Sequence, residues 1–159
     1  MVHARTHKEQ SKINLTIPIT ATMSEKLRHY RHQASLYQVE LAEKAGLDRT
    51  TYNYYEGKEM SEYPIETLKN IAACLNIDVK LLLDDYHLFL YEGQGAQIKS
   101  VRYMLMQTQK VFAKNFGVTR ETIKRWEGEK ARISRKDYDL LMALSNFSLQ
   151  DTSQGRLAM

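Results

Sequence analysis

Cysteine is nearly absent from this chain. Cys74 stands alone among 159 residues, so no intrachain disulfide can form and a reducing, cytoplasmic setting is expected. Long apolar runs are missing too. None approaches the ~20 residues a membrane span needs, so no membrane partner is expected. Met1 to Lys12 is basic and polar, without the apolar centre of a secretory signal. Metal-ligand clusters are also missing. His29 and His32 lie three apart, but with no cysteine pair or carboxylate cluster beside them they read as surface histidines. His3 and His7 fall in a polar tail. No nucleophile–base pair or paired acids stand out, so neither an enzyme nor a cofactor is expected. Gly93-Gln94-Gly95 has no strand–helix phosphate unit around it and reads as a linker. Cys74, beside Ile71 and Leu75, reads as a small apolar residue of a helix face.

Hydrophobic residues make up 43% and charged residues 26% of the chain, the balance of a soluble globular protein. The net charge of +4 is unevenly spread. Residues 23–85 carry 8 Lys/Arg and 11 Asp/Glu, a net of −3; residues 95–150 carry 11 and 5, a net of +6. A basic half is the electrostatic footprint of a nucleic-acid partner, although charge alone also fits a solvated surface.

An internal repeat organises the chain. Residues 38–57, QVELAEKAGLDRTTYNYYEG, align without a gap on residues 109–128, QKVFAKNFGVTRETIKRWEG. Seven pairs are identical: Gln38/Gln109, Ala42/Ala113, Gly46/Gly117, Arg49/Arg120, Thr51/Thr122, Glu56/Glu127 and Gly57/Gly128. Four more are apolar or aromatic in both: Leu41/Phe112, Leu47/Val118, Tyr52/Ile123 and Tyr55/Trp126. The spacing predicts a helix from Gln38 to Ala45 and a glycine stop at Gly46. Asp48 then caps a second helix, from about Arg49 to Glu56, whose inner face holds Tyr52 and Tyr55. The second copy repeats this, with Thr119 as the cap. Flanking helices are predicted over Met23 to Ala34 (Leu27, Tyr30 and Ala34 on one face) and Ile65 to Asn76. A short helix capped by Asp78 follows. Around the second copy, Ile98, Val101 and Leu105 precede it, and a helix capped by Ser134 follows.

Two segments fall outside these bundles. Residues 13–19 alternate apolar and polar like a half-buried strand, with Pro18 confining it to an edge. Residues 86–91 form a second β-like run. They could pair together or across a dimer, or be an arm and an apolar linker laid on a bundle. The expected division is an arm 1–22, a first domain 23–85, a linker 86–95, a second domain 96–148 and a tail 149–159.

Both copies resemble the phage Cro/repressor (XRE-type) helix-turn-helix family, with its opening glutamine, turn glycine eight residues on, and closing glutamate-glycine pair. Thr67-Leu68-Lys69-Asn70-Ile71-Ala72 with Leu75-Asn76-Ile77 matches the family's closing helices. The resemblance covers roughly 24–83 and 96–145. It implies an all-α fold of two tandem lambda-repressor-like helix-turn-helix bundles, with a short β-like N-terminal arm as an addition. It also implies that the third helix of each bundle enters the major groove of duplex DNA. The base-facing positions would be Arg49, Thr50, Asn53 and Tyr54 in the first copy, and Arg120, Glu121, Lys124 and Arg125 in the second. Gln38 and Gln109 would brace the first base-contacting residue, and Thr51 and Thr122 match a phosphate-contacting position. An arginine can bond guanine bidentately, Asn53 adenine, and Glu121 cytosine N4. Lys124, Arg125, Lys130 and Arg132 suit phosphate. Glu56 and Glu127 read as structural. Tyr54 could touch DNA or a partner chain.

The implied function is a transcriptional regulator, read as a repressor. The alternative is a protein-interaction module, an antitoxin or a phage-type inhibitor, for which the acidic first copy with its tyrosines leaves room. A third reading combines the two, with the second unit gripping DNA and the first mediating assembly. The two third helices differ at most exposed positions and cannot read the same half-site. A homodimer would restore a palindrome, with the segments at 13–19 and 86–91 as its interface.

Overall fold

The computed structural model describes residues 17–18, 20–58 and 60–155, with side chains up to residue 146. The chain divides after Leu82 into two compact units. Among the described residues there are helices and turns but no strand, and no helix is long and apolar enough to cross a membrane. The fold is an all-α helix-turn-helix bundle.

The first unit holds α1 (Met23–Gln33), α2 (Gln38–Lys44), α3 (Arg49–Gly57), α4 (Ile65–Leu75) and one 3-10 turn, Val79–Leu81. Its helix starts follow capping chemistry. Thr22 and Glu25 exchange side-chain and backbone bonds at the head of α1. Asp48 accepts from the Thr51 amide (2.9 Å) to open α3. Gly46, at φ +69°, ends the α2 segment in the left-handed conformation. Leu27, Leu41, Ala42, Tyr52, Leu68, Ile71, Ala72 and Leu82 form the core. Ala42 is small where α2 packs on α3 and α4. The sequence placed Tyr30 and Ala34 on the inner face of α1. Instead Met23, Leu27 and Arg31 are buried, Tyr30 is half-buried and Ala34 is exposed. A buried arginine occupies the place expected of an apolar residue.

The second unit holds α5 (Asp85–Tyr91), α6 (Gln94–Met104), α7 (Gln109–Phe116), α8 (Arg120–Glu127) and α9 (Arg135–Gly155). Thr108, Thr119 and Ser134 cap α7, α8 and α9. Ile98, Phe112, Ile123, Ile133 and Leu141 are fully enclosed, with Trp126 and Tyr138 beside them.

Two sequence readings are corrected here. Residues 86–91 are helical, not strand-like, because Asp84 caps α5 by accepting from the His87 amide (2.8 Å). Tyr86 and Phe89, three apart, then turn onto Tyr138 of α9 at ring separations of 5.4 and 5.0 Å. The segment read as a linker is therefore part of the second core. Gly93-Gln94-Gly95 is likewise no loose spacer. Gln94 and Gly95 are buried in the first turn of α6, and Gln94 Nε2 donates to the carbonyls of Trp126 (3.2 Å) and Ala131 (2.6 Å). The arm-like alternation at 13–19 lies largely outside the described residues. Helix α9 continues to Gly155, beyond the boundary expected at residue 148.

Candidate nucleic-acid interface

Each unit fixes the equivalent helix, α3 or α8, with the same buried group. In the first, Arg31 of α1 meets Glu56 of α3 through Nε–Oε1 (2.8 Å) and Nη2–Oε2 (3.3 Å), and its Nη1 donates to the Leu36 carbonyl (2.8 Å). Gln38, the first residue of α2, donates to Glu56 Oε2. In the second, Arg102 meets Glu127 through the same atoms at 2.6 and 3.2 Å, and its Nη1 donates to Gln107 O (3.1 Å). Gln109 Nε2 donates to Glu127 Oε2 (2.9 Å). In each unit one carboxylate thus ties α1 or α6, the turn after it and the start of α2 or α7 to the end of α3 or α8. Burial pushes the Glu127 carboxyl up, but the bonds from Arg102 and Gln109 outweigh this and hold it below the usual carboxylate range. The Glu127 bond in turn raises Arg102 above the ordinary guanidinium value.

The structure agrees that Glu56 and Glu127 bond within their units. Gln38 and Gln109, expected to brace Arg49 and Arg120, bond instead to Glu56 and Glu127 at the far end of α3 and α8. Arg31 and Arg102 were missed, although their signal was present. They are 71 residues apart, the same offset as Gln38 and Gln109, so the repeat extends upstream of the stretch first aligned. The left-handed Ser35 (φ +55°) and Met106 (φ +53°), at the same offset, close α1 and α6 alike.

The clamp leaves one side of each third helix in solvent. On α8, Arg120, Glu121, Lys124 and Arg125 are all exposed, and Lys124 and Glu121 lie 3.8 Å apart as a surface ion pair. On α3, Arg49, Thr50 and Tyr54 are exposed, whereas Asn53 is half-buried with its Oδ1 enclosed and without a partner. Thr51 and Thr122 are half-buried, and their hydroxyls face the cap residues Asp48 (2.5 Å) and Thr119 (3.0 Å). The faces differ in charge. Residues 109–128 hold five Lys/Arg and two Asp/Glu; residues 38–57 hold two and four. Lys130 and Arg132 extend the basic surface just past α8, both exposed. Among the described residues no three His, Cys, Asp or Glu side chains gather as metal ligands would.

The HTH-type transcriptional regulator SinR of Bacillus subtilis (strain 168) is 31% identical to this chain over 72 residues, 45% of this chain and 65% of that protein. The chain thus covers just under two thirds of this relative's length. No family model matches the chain, and no solved structure does. Over part of its length the chain is similar to a helix-turn-helix transcriptional regulator.

Proposed function

We propose that this protein is a cytoplasmic, sequence-specific regulator of transcription that binds duplex DNA through the second unit. The supporting observation is α8, whose exposed Arg120, Lys124 and Arg125 stand on a helix held rigid by the Arg102–Glu127–Gln109 clamp. A helix-turn-helix of this size lays such a helix in the major groove. Arg120, at its N-terminus, reads a guanine edge, while Lys124, Arg125, Lys130 and Arg132 hold phosphate. The similarity to a transcriptional regulator adds to this. Repression by occupancy is the simplest outcome, since a protein filling the groove excludes others from the site.

The first unit contributes less to DNA affinity. Arg49 is its one cation on the exposed N-terminal turn of α3, with Asp48 next to it, and Asn53 has its amide oxygen turned inward. Its exposed Tyr37 and Tyr54 favour a protein contact.

Selection of bound duplexes from a random pool, followed by fluorescence anisotropy at several salt concentrations, tests the reading. Arg120→Ala is expected to cost roughly 1–3 kcal/mol on the selected site and to relax preference at one base position. Arg49→Ala is expected to cost less. No enrichment of any sequence, or equal losses from Arg120→Ala on selected and scrambled duplexes, would overturn base reading by α8.

A further inference from the structure

The first unit has a surface that a DNA-binding face does not explain. Gln38, bonded to Glu56, ties the start of α2 to the end of α3. Tyr37 (66% exposed), Val39 (51%) and Tyr54 (48%) flank these two residues in sequence, and all three are open to solvent. Glu40 joins them, its carboxylate accepting from the Tyr37 amide (2.6 Å). The Glu40 carboxylate repels phosphate, and two tyrosines with a valine beside it suit a protein interface, where aromatic residues are enriched. Lys58 Nζ already sits 4.9 Å from the Tyr54 ring centre, so this ring accepts a cation. At the same offset the second unit carries Thr108, Lys110, Val111 and Arg125, and Val111 is 45% exposed. Apart from Lys58, the first junction is aromatic and acidic; the equivalent junction is basic, with the exposed Val111 next to Lys110.

We propose that these two junctions bind each other between two copies of the chain, the first unit of one copy covering the basic junction of the second unit of the other. Charge complementarity selects this occupant. Glu40 faces the Lys110 and Arg125 cations, the tyrosine rings take a guanidinium, and Val39 meets Val111. The consequence for regulation rests on the DNA reading above. A partner unit lying over Arg125 covers the exposed face of α8 that would meet the duplex, so self-association and duplex binding compete. The DNA-competent form is the released one, and protein concentration and salt set its fraction.

Sedimentation equilibrium of the full chain tests the contact without DNA. Expected is a dimer at low salt that dissociates as salt rises. Glu40→Lys and Arg125→Glu should each weaken association about tenfold or more, and an equimolar mixture of these two variants should regain it, because each supplies the charge the other has lost. Tyr54→Ala should weaken association with Glu40 left in place, and circular dichroism verifies that each variant folds. A short duplex at saturation should shift the wild-type chain to monomer. A wild-type chain that stays monomeric at low salt, a mixture no better than its components, or a dimer insensitive to all three variants overturns the proposal. Failure of any duplex to bind would instead strike the function proposed above and leave the association result standing.

Discussion

In the first unit, four acidic and two basic side chains fall between residues 38 and 57; in the second, two acidic and five basic fall between 109 and 128. Beneath that inversion the frames are nearly superposable in chemistry. Arginine, glutamine and glutamate meet through the same atoms, a left-handed residue closes the first helix, and a glycine in the left-handed region precedes the third. The difference teaches where the fold is specified. Buried positions keep the helix-turn-helix in place, and the exposed positions of α3 and α8 carry none of that burden. They are free to differ in charge, and hence in partner.

The largest effect is expected from breaking the shared clamp. Removing one member of a buried, hydrogen-bonded ion pair leaves the other charge enclosed and costs about 3–5 kcal/mol. Glu56→Ala and Glu127→Ala should both do this, each in its own unit. Trp126, the lone tryptophan, is buried in the second unit and reports that unit's unfolding by fluorescence. Glu127→Ala should shift the fluorescence transition in urea strongly. Glu56→Ala should shift the dichroism and leave the fluorescence transition in place. Equal fluorescence shifts would show that the two units unfold together. Acid sharpens the test. The folded Glu127 carboxyl titrates below its ordinary 4.5, so its contribution is complete above that value and is lost as pH falls through the lower folded one. The wild-type fluorescence transition should weaken in that window more than that of Glu127→Ala.

A smaller effect separates the units at one position of the equivalent helices α1 and α6. Ser24 and Gly95 share the 71-residue offset. Ser24 Oγ donates to the Tyr55 carbonyl (2.9 Å) and to that of Lys58. At Gly95 a Cβ would lie 2.4 Å from the Glu127 carbonyl oxygen, so α6 runs too close to α8 for any side chain. Gly95→Ala should therefore destabilise the second unit by roughly 1–3 kcal/mol, since backbone must move. Ser24→Ala should cost about 1 kcal/mol through lost hydrogen bonds. A neutral Gly95→Ala, read by Trp126 fluorescence, would show that the two helices can separate freely.

Much of this frame was legible because the repeat samples the same constraints twice. Gly46 and Gly117, the caps Asp48 and Thr119, and the inward Tyr52, Tyr55, Ile123 and Trp126 each follow from local chemistry that a sequence displays. Arg31 and Arg102 were harder, since a buried arginine at helical spacing looks like a break in an apolar face until its carboxylate is placed beside it. Residues 86–91 misled for a different reason. Tyr-His-Leu-Phe-Leu-Tyr has the aromatic content of a strand, and only the Asp84 cap with the three-residue spacing of Tyr86 and Phe89 indicates a helix. That correction also removes the strand-pairing argument for a dimer, so an association of this chain needs a surface of another kind. Of the candidate contact residues, Arg49, Thr50, Tyr54, Arg120, Glu121, Lys124 and Arg125 are exposed. Asn53 departs from them because burial of one amide oxygen depends on packing that spacing does not encode.

The smallest effect expected concerns Lys124, and it probes the charge difference directly. Its ammonium lies 3.8 Å from Glu121 with both side chains about two-thirds exposed, so this pair adds little to stability. On DNA the lysine is expected to meet a phosphate, which releases counterions whatever the base sequence. Lys124→Ala should then reduce the slope of log K against log salt by about 0.9 in magnitude and weaken selected and scrambled duplexes alike. Asn53 holds the same position in the first unit, without a charge. Asn53→Ala should leave the slope where it was. If it changes the slope as much as Lys124→Ala does, the first unit is meeting phosphate too, and charge no longer distinguishes the two faces. If Lys124→Ala weakens only the selected duplex, the residue is reading a base, and the division between Arg120 at the bases and Lys124 at the backbone must be redrawn.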